Sequence, residues 1–147
     1  MARPPIPLSE RRQRFAPIAR FATVLLMLGM FVATHIPPGT LPHHVSHIDK
    51  LLHCLVYMAL TFSVLTSWEL TVGQLRPQHY FTVWLVGTLY GAIDEITQIP
   101  VGRYADVSDW FFDITGIALG LTAYRLFSPL MFRVARVLYF KFAVKRA

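Results

Sequence analysis

The alternation of long apolar runs with short polar segments predicts a chain that crosses a membrane four times. Each run is long enough for a helix to span about 30 Å of hydrocarbon. The runs cover residues 17–36, 48–68, 80–99 and 107–127. Residues that break helices fall between them, as expected for connecting loops. These are Pro37, Pro38, Gly39, Pro42, Gly73, Pro77, Pro100 and Gly102. The predicted fold class is therefore all-α, a four-helix transmembrane bundle.

The last segment, residues 129–147, mixes apolar side chains with five cations. Its uninterrupted apolar length is too short for a fifth span, so we expect a basic amphipathic helix at the inner surface. There the cations would meet anionic lipid heads; simple anchoring without a specific partner is the alternative. The chain thus divides into a basic cytoplasmic segment (1–16), a four-span membrane domain (17–128) and this basic amphipathic tail (129–147).

Composition supports a membrane location. The chain has 147 residues, of which 54% are hydrophobic and only 15% charged, whereas about a quarter are charged in ordinary soluble domains. The net charge of +6 does not indicate nucleic-acid binding, because the cations lie mainly near the chain ends. A single cysteine, Cys54, excludes an internal disulfide and a zinc ribbon.

The distribution of lysine and arginine predicts the orientation of the spans, since cytoplasmic loops are enriched in both. Cations are frequent before the first span and after the fourth span, and the second loop carries Arg76, whereas loops one and three contribute only Lys50 and Arg103. We therefore expect a multi-pass protein of the cell membrane with both termini cytoplasmic. A retained first helix is expected rather than a signal peptide, because no convincing cleavage site follows it.

This topology brings most of the acidic residues to one end of the bundle. Only Glu10 and Glu69 lie elsewhere. Charges near membrane helices cost free energy and usually have a partner or a function. Helical spacing places Asp49 with His53, Asp94 with Gln98 and Asp109 with Asp113 at i,i+4 positions. Gly87-x-x-x-Gly91 and Gly116-x-x-x-Gly120 further predict close packing of spans three and four.

In these segments the sequence resembles the VanZ-like family of small bacterial membrane proteins. The resemblance is carried by Asp49-Lys50-x-x-His53, by Asp94-Glu95-x-x-Gln98, and by Arg103, Asp109, Asp113, Gly116 and Gly120. Asp113 departs from the pattern, since the family usually has Asn there. The resemblance implies a polytopic membrane protein, and it implies a relation to glycopeptide resistance because the founding member is linked to resistance against teicoplanin.

The residues allow several roles, and no phosphate-binding glycine loop, cysteine pair or nucleophile motif is present. His53 is the best candidate acid or base, with Asp49 orienting it, or else a histidine that holds helices together. Asp94 and Glu95 are either paired carboxylates or partners of Lys50 and Arg103.

The remaining polar residues also have two readings each. Arg103 could bind a phosphate or carboxylate, or pair with Asp106 or Asp109. Lys50 could bind an anionic head group or pair with a neighbouring acid. Gln98 and Tyr57 either support these groups as hydrogen-bond donors or have only a structural role.

Three functions follow from these readings. The first is binding or modulation of envelope lipid-linked or glycopeptide-related material at the outer face, with Asp49, Lys50, Asp94, Gln98, Arg103, Asp109 and Asp113 as ligand-binding residues. The second is an enzyme acting on a lipid head group, with His53 and Glu95 as candidate catalytic residues. The third is a structural role for a partner protein. No cofactor or metal is expected, although a metal-dependent enzyme would use His53, Glu95 and Asp109. Membrane lipids and a lipid-linked envelope precursor are the expected partners.

Overall fold

Four helices and one short turn of 3-10 helix make up the computed structural model, which describes residues 8–37 and 46–144. Within those ranges no strand occurs, and the predicted all-α fold class is confirmed. The helices are α1 (Leu8–Thr34), α2 (Ser46–Val72), α3 (Pro77–Thr97) and α4 (Val107–Val144), with the 3-10 turn at Ile99–Val101.

Three of the helices are long and apolar enough to cross a membrane, which supports a multi-pass protein. These candidate spans are Gln13–Thr34, Ile48–Val72 and Val107–Val134. Helix α3 has 21 residues, but it is less apolar because it carries several polar side chains and ends with Asp94 and Glu95. Its crossing of the membrane stays a prediction.

Helix α2 lies at the centre of the bundle. It contacts α1 on one side and α4 on the other, and α3 packs mainly on α4. Two buried apolar clusters form the core; they consist of Met30, Tyr57, Leu60 and Ile117, and of Leu65, Leu75, Val83 and Tyr124. Many large apolar side chains on α1, α3 and α4 are exposed, as expected for helices that face lipid rather than water.

The glycines of α4 pack against α2, which corrects the prediction that both glycine motifs join spans three and four. A Cβ at Gly116 would lie 2.2 Å from the carbonyl oxygen of Cys54, and one at Gly120 would lie 2.7 Å from that of Met58. Only the α3 glycines face α4, where a Cβ at Gly87 would meet Ile117 at 3.0 Å. The α4 glycines therefore let the backbones of α2 and α4 approach closely, whereas the α3 glycines make room for side chains of α4.

The predicted tail helix is not a separate element. Helix α4 continues for 38 residues through Pro129 to Val144, although proline removes one backbone hydrogen bond inside a helix. At about 1.5 Å per residue the helix is about 57 Å long, so it extends well past one bilayer thickness. The basic tail is thus helical as far as Val144, as a direct continuation of the fourth span, and its last three residues lie outside the described residues. Its placement at the inner surface stays a prediction.

Candidate functional site

One end of the bundle gathers the polar residues that the sequence singled out; we call it the polar end. It is formed by the C-terminal ends of α1 and α3, the N-terminal ends of α2 and α4, and the loop between α3 and α4. All nine predicted site residues lie there: Asp49, Lys50, His53, Asp94, Glu95, Gln98, Arg103, Asp109 and Asp113. Convergence at one end was predicted from the topology, whereas the pairings described below were not.

The connection from α3 to α4 is fixed by polar contacts to its backbone. Gly102 adopts φ 80° in the left-handed region, which a glycine tolerates without a steric penalty. Glu95 Oε2 accepts a hydrogen bond from the backbone N–H of Asp106 at 2.8 Å. Asp106 Oδ1 in turn accepts one from the backbone N–H of Ser108 at 2.7 Å and so caps α4.

His53 and Asp113 form the buried centre of the polar end. His53 Nδ1 lies 2.9 Å from Asp113 Oδ1, and the two residues are 6% and 0% exposed. Among the described residues, the other oxygen, Asp113 Oδ2, is buried without a hydrogen-bond partner, and so is the hydroxyl of Tyr57. A buried carboxylate oxygen without a partner carries a free-energy penalty. Asp113 Oδ2 and the Tyr57 hydroxyl could therefore each bind a ligand.

A second layer of buried polar groups surrounds Gln98. Its Nε2 donates to Asp94 Oδ2 at 3.2 Å and to Glu95 Oε1 at 3.3 Å. All three side chains are at most 5% exposed. One amide thus supports both carboxylates, which agrees with the first of the two roles expected for Gln98, that of a supporting donor.

Lys50 connects α2 to the start of α4. Its Nζ lies 2.8 Å from Asp109 Oδ1 and 3.1 Å from Asp106 Oδ2, and it also donates to Ser108 Oγ. Hydrogen bonds from the Ser108 backbone and side chain, and then from Lys50, lower the pKa of the Asp106 carboxyl in the loop. With three partners, Lys50 holds two helices together and has little capacity left for a ligand.

Arg103 makes a weaker contact. Its Nη2 lies 3.5 Å from Asp49 Oδ2, and the side chains are 25% and 32% exposed. A guanidinium has five N–H donors, and among the described residues this is the ion pair that Arg103 forms. The neighbouring Tyr104 is 93% exposed. Arg103 therefore keeps guanidinium donors that this contact does not use.

These pairings correct several sequence expectations. Asp49 was expected to orient His53 from the same helix, but Asp113 on α4 does so. An ion pair of Arg103 with Asp106 or Asp109 was one of its two expected roles, but those acids contact Lys50. Helical spacing identifies neighbours on one helix, and the partners here come from other helices.

The sequence reasoning missed the contribution of α1. Thr34 Oγ1 donates to Asp94 Oδ1 at 3.2 Å, and His35 Nε2 lies 3.1 Å from Thr97 Oγ1. His35 Nδ1 is 4.0 Å from Asp94 Oδ1. The predicted topology already placed the end of the first span at this face, so the polar pair Thr34-His35 next to Pro37 was the available signal.

Two triads of side chains at the polar end are close enough to hold a metal ion. One consists of His53, Glu95 and Asp113, and the other of Asp49, His53 and Asp109. In each triad the potential ligand atoms lie within 4.8 Å of one another. The predicted metal set, His53 with Glu95 and Asp109, is neither of these two.

Comparison with known proteins gives one match. The family model of VanZ/LLP1 matches residues 7–128, which include every residue of the polar end. No curated protein matches the chain significantly, and no solved structure does so either.

Proposed function

The chain belongs to the VanZ/LLP1 family, and from the arrangement of its polar end we propose that it binds the anionic head group of an envelope lipid or lipid-linked precursor at the outer face of the cell membrane. The observation that carries this proposal is the contrast between the two cations. Lys50 is held by three partners at the start of α4 and in the loop just before it, whereas Arg103 makes one long, partly exposed contact. We therefore assign the binding of the anionic head group to Arg103.

The chemistry of Arg103 suits a phosphate or carboxylate. A guanidinium binds either group through two parallel hydrogen bonds, and the 3.5 Å contact with Asp49 is weak enough to be exchanged for a ligand. Asp49, about one-third exposed, would then accept hydrogen bonds from hydroxyl or amide groups of the head. Tyr104 is suited to the membrane–water boundary, where tyrosine is enriched.

The other predicted ligand-binding residues have different parts in this proposal. Asp94, Gln98 and Asp113 are at most 2% exposed, so they would shape the floor of the site rather than contact an arriving head group. Lys50 and Asp109 would hold α2 against α4 beside Arg103.

Lipid binding can be tested with the full-length protein purified in detergent. Mass spectrometry of co-purified lipid is followed by thermal-shift measurements with phosphatidylethanolamine, phosphatidylglycerol, cardiolipin and a polyprenyl phosphate. We expect stabilisation by anionic lipids, with affinity reduced about tenfold or more in Arg103→Gln, since a hydrogen bond to a charged group contributes about 1.5–3 kcal/mol. Arg76→Gln, at the opposite end of α3, is the matched control and should bind as the wild type does.

Two results would contradict the proposal. One is the absence of any lipid-dependent shift across the panel, and the other is an equal loss of binding in Arg76→Gln and Arg103→Gln. The relation to glycopeptides can be tested separately: expression of the wild type, but not of Arg103→Gln, should change the teicoplanin susceptibility of a bacterial host.

A second candidate function, a membrane enzyme acting on a lipid head group, is favoured by the buried His53–Asp113 pair with Glu95 close by. His53 would act as the base and Glu95 as the acid. Such an enzyme should alter lipid head groups in cells that express it. Head-group conversion that persists in both His53→Ala and Glu95→Gln would rule this mechanism out.

A third candidate is a structural role for a partner protein. It predicts that Arg103→Ala loses the fold itself. The long, partly exposed Arg103–Asp49 contact makes this outcome the least favoured, because such pairs contribute only about 0–1 kcal/mol.

A further inference from the structure

We infer that His53, Glu95 and Asp113 form a binding site for a divalent transition-metal ion inside the polar end. The three residues come from α2, α3 and α4 and are 6%, 5% and 0% exposed. One potential ligand atom of each lies within 4.8 Å of the other two. With metal–ligand bonds of about 2.0–2.2 Å, tetrahedral ligand atoms lie about 3.4 Å apart, so these atoms would have to approach one another by up to about 1.4 Å.

An independent observation points to a ligand at this position. Asp113 Oδ2 is buried and, within the described ranges, accepts no hydrogen bond. The hydroxyl of Tyr57, one helical turn after His53, is likewise buried without a partner. Buried polar atoms in native proteins are nearly always paired, and an exception often marks an ion or water. A metal ion provides the partner that Asp113 Oδ2 lacks.

The charge balance of the polar end also favours a cation. Six carboxylates lie there, and in the described part of the chain only two fixed cations, Lys50 and Arg103, accompany them. The six are Asp49, Asp94, Glu95, Asp106, Asp109 and Asp113. Before any histidine is protonated, four negative charges are uncompensated, and a dication removes half of this surplus. Protons on the buried carboxyls are the competing solution, and the experiment below separates the two.

The existing ion pairs select between the two triads. We call Asp49, His53 and Asp109 the outer triad. In it, Asp49 contacts Arg103 and Asp109 contacts Lys50. In the inner triad (His53, Glu95 and Asp113), the hydrogen bonds to Glu95 within the described residues come from N–H groups, and the hydrogen-bond partner of Asp113 there is His53. Because a metal would have to displace cations from the outer triad but not from the inner one, we assign it to the inner triad.

The donor set indicates the class of metal. One imidazole and two carboxylates are ligands for Zn²⁺, Mn²⁺ or Fe²⁺, whereas soft ions such as Cu⁺ favour sulfur. Three protein ligands leave at least one coordination position open, as in catalytic zinc sites. The metal-dependent alternative in the sequence analysis included His53 and Glu95 but had Asp109 where the structure has Asp113. The inference does not depend on the proposed lipid binding.

The test measures metal directly on the full-length protein in detergent. After chelator treatment, Zn²⁺ or Mn²⁺ is titrated by calorimetry, and retained metal is counted by plasma mass spectrometry after gel filtration. We expect about one ion per chain and a melting temperature that rises with metal. Asp113→Asn and Glu95→Gln should each weaken binding by at least about 10- to 100-fold, the loss typical even of residues that only support metal ligands.

Matched variants at the same end keep the outcome interpretable. Asp49→Asn and Asp106→Asn remove carboxylates outside the inner triad and should retain about one ion per chain. If an inner-triad variant does not fold, metal binding is still tested on the wild type. Its melting temperature should rise with metal and fall again when chelator is added. The inference is overturned if the wild type retains neither metal, if metal leaves its melting temperature unchanged, or if Asp49→Asn loses the ion as fully as Asp113→Asn does.

Discussion

His53 on α2 and Asp113 on α4 form a buried pair, with 2.9 Å between the imidazole Nδ1 and the carboxylate Oδ1. The residues are 60 positions apart in the chain, and their helices share the most extensive interface in the described part of the bundle. Just below this pair, the Gly116 backbone approaches that of Cys54. The His53–Asp113 contact and the close approach of the Cys54 and Gly116 backbones therefore both join α2 to α4. The two contacts lie within about one helical turn of each other.

Energetic coupling between His53 and Asp113 is the first prediction. His53→Ala should lower the free energy of unfolding by roughly 3–5 kcal/mol, because it leaves a buried carboxylate without its partner. Asp113→Asn keeps the shape and removes the charge, so the double variant should lose less than the sum of the two single losses. Unfolding in mixed micelles with increasing denaturing detergent measures all four proteins, and we expect a coupling energy of about 1–3 kcal/mol.

The control for this cycle is Thr115→Ala, on an exposed position of α4, which should change stability by no more than about 0.5 kcal/mol. Strict additivity of the two single substitutions would mean that the 2.9 Å contact contributes nothing specific to stability.

The sequence predicted where the polar residues lie more successfully than it predicted what they contact. The lengths of the apolar runs and of the loops between them were enough to place the ends of α2, α3 and α4 together, because helices joined by short loops run in alternating directions. Pairings depend on helix rotation and depth. Asp49 and His53 share a helix face, yet their partners Arg103 and Asp113 come from elsewhere.

The glycine motifs illustrate the same limit. Gly116-x-x-x-Gly120 indicates a helix face that permits close approach, but the motif does not name the helix that approaches. In the structure that helix is α2, where Cys54 and Met58 carbonyls face the two glycines. The neighbour of a small-residue face is decided by the whole bundle, which a single sequence does not reveal.

The second prediction concerns the α2–α4 contact. Gly116→Ala should prevent normal folding, because the new Cβ would lie 2.2 Å from the Cys54 carbonyl oxygen, and backbone cannot move aside as a flexible side chain can. Gly29→Ala is the matched control, since no atom lies within 4 Å of a Cβ there. It should be neutral or slightly stabilising, as alanine favours helix more than glycine does. Size-exclusion profiles and melting temperatures in detergent measure the effect of both substitutions. A monodisperse Gly116→Ala protein with an unchanged melting temperature would contradict this packing.

The third prediction separates the two cations. Lys50→Gln removes three contacts between α2 and the start of α4, so it should destabilise the protein by about 1–3 kcal/mol. Arg103→Gln removes one long, partly exposed contact and should cost about 0–1 kcal/mol. The same unfolding assay compares them without lipid. If Arg103→Gln proves the more destabilising, Arg103 has a structural role and its assignment to an anionic head group fails.

The fourth prediction is a pH dependence at Asp106. Its pKa lies below the ordinary value of 3.8 because Ser108 and Lys50 hydrogen-bond the ionised carboxylate. A lowered folded-state pKa contributes stability that is present above the unfolded-state pKa and is lost as the pH falls through the folded-state value. The stability difference between wild type and Asp106→Asn should therefore be constant from about pH 8 to pH 5 and shrink only below about pH 4. A change centred near pH 6 would instead indicate that a histidine controls this contact.

The fifth prediction tests on which side of the membrane the polar end lies. Cysteines are placed in a Cys54→Ala background at two exposed loop positions, Tyr104→Cys between α3 and α4 and Gln74→Cys between α2 and α3. Because Arg76 and both basic chain ends predict a cytoplasmic location for the α2–α3 loop, an impermeant maleimide should label Tyr104→Cys on intact cells. Gln74→Cys should react only after the cells are permeabilised. The reverse pattern would place the polar end in the cytoplasm, where Arg103 would meet inner-leaflet lipids instead of outer envelope material. The anionic head group proposed for Arg103 would then have to belong to an inner-leaflet lipid. The inference of a metal site at His53, Glu95 and Asp113 would be unaffected.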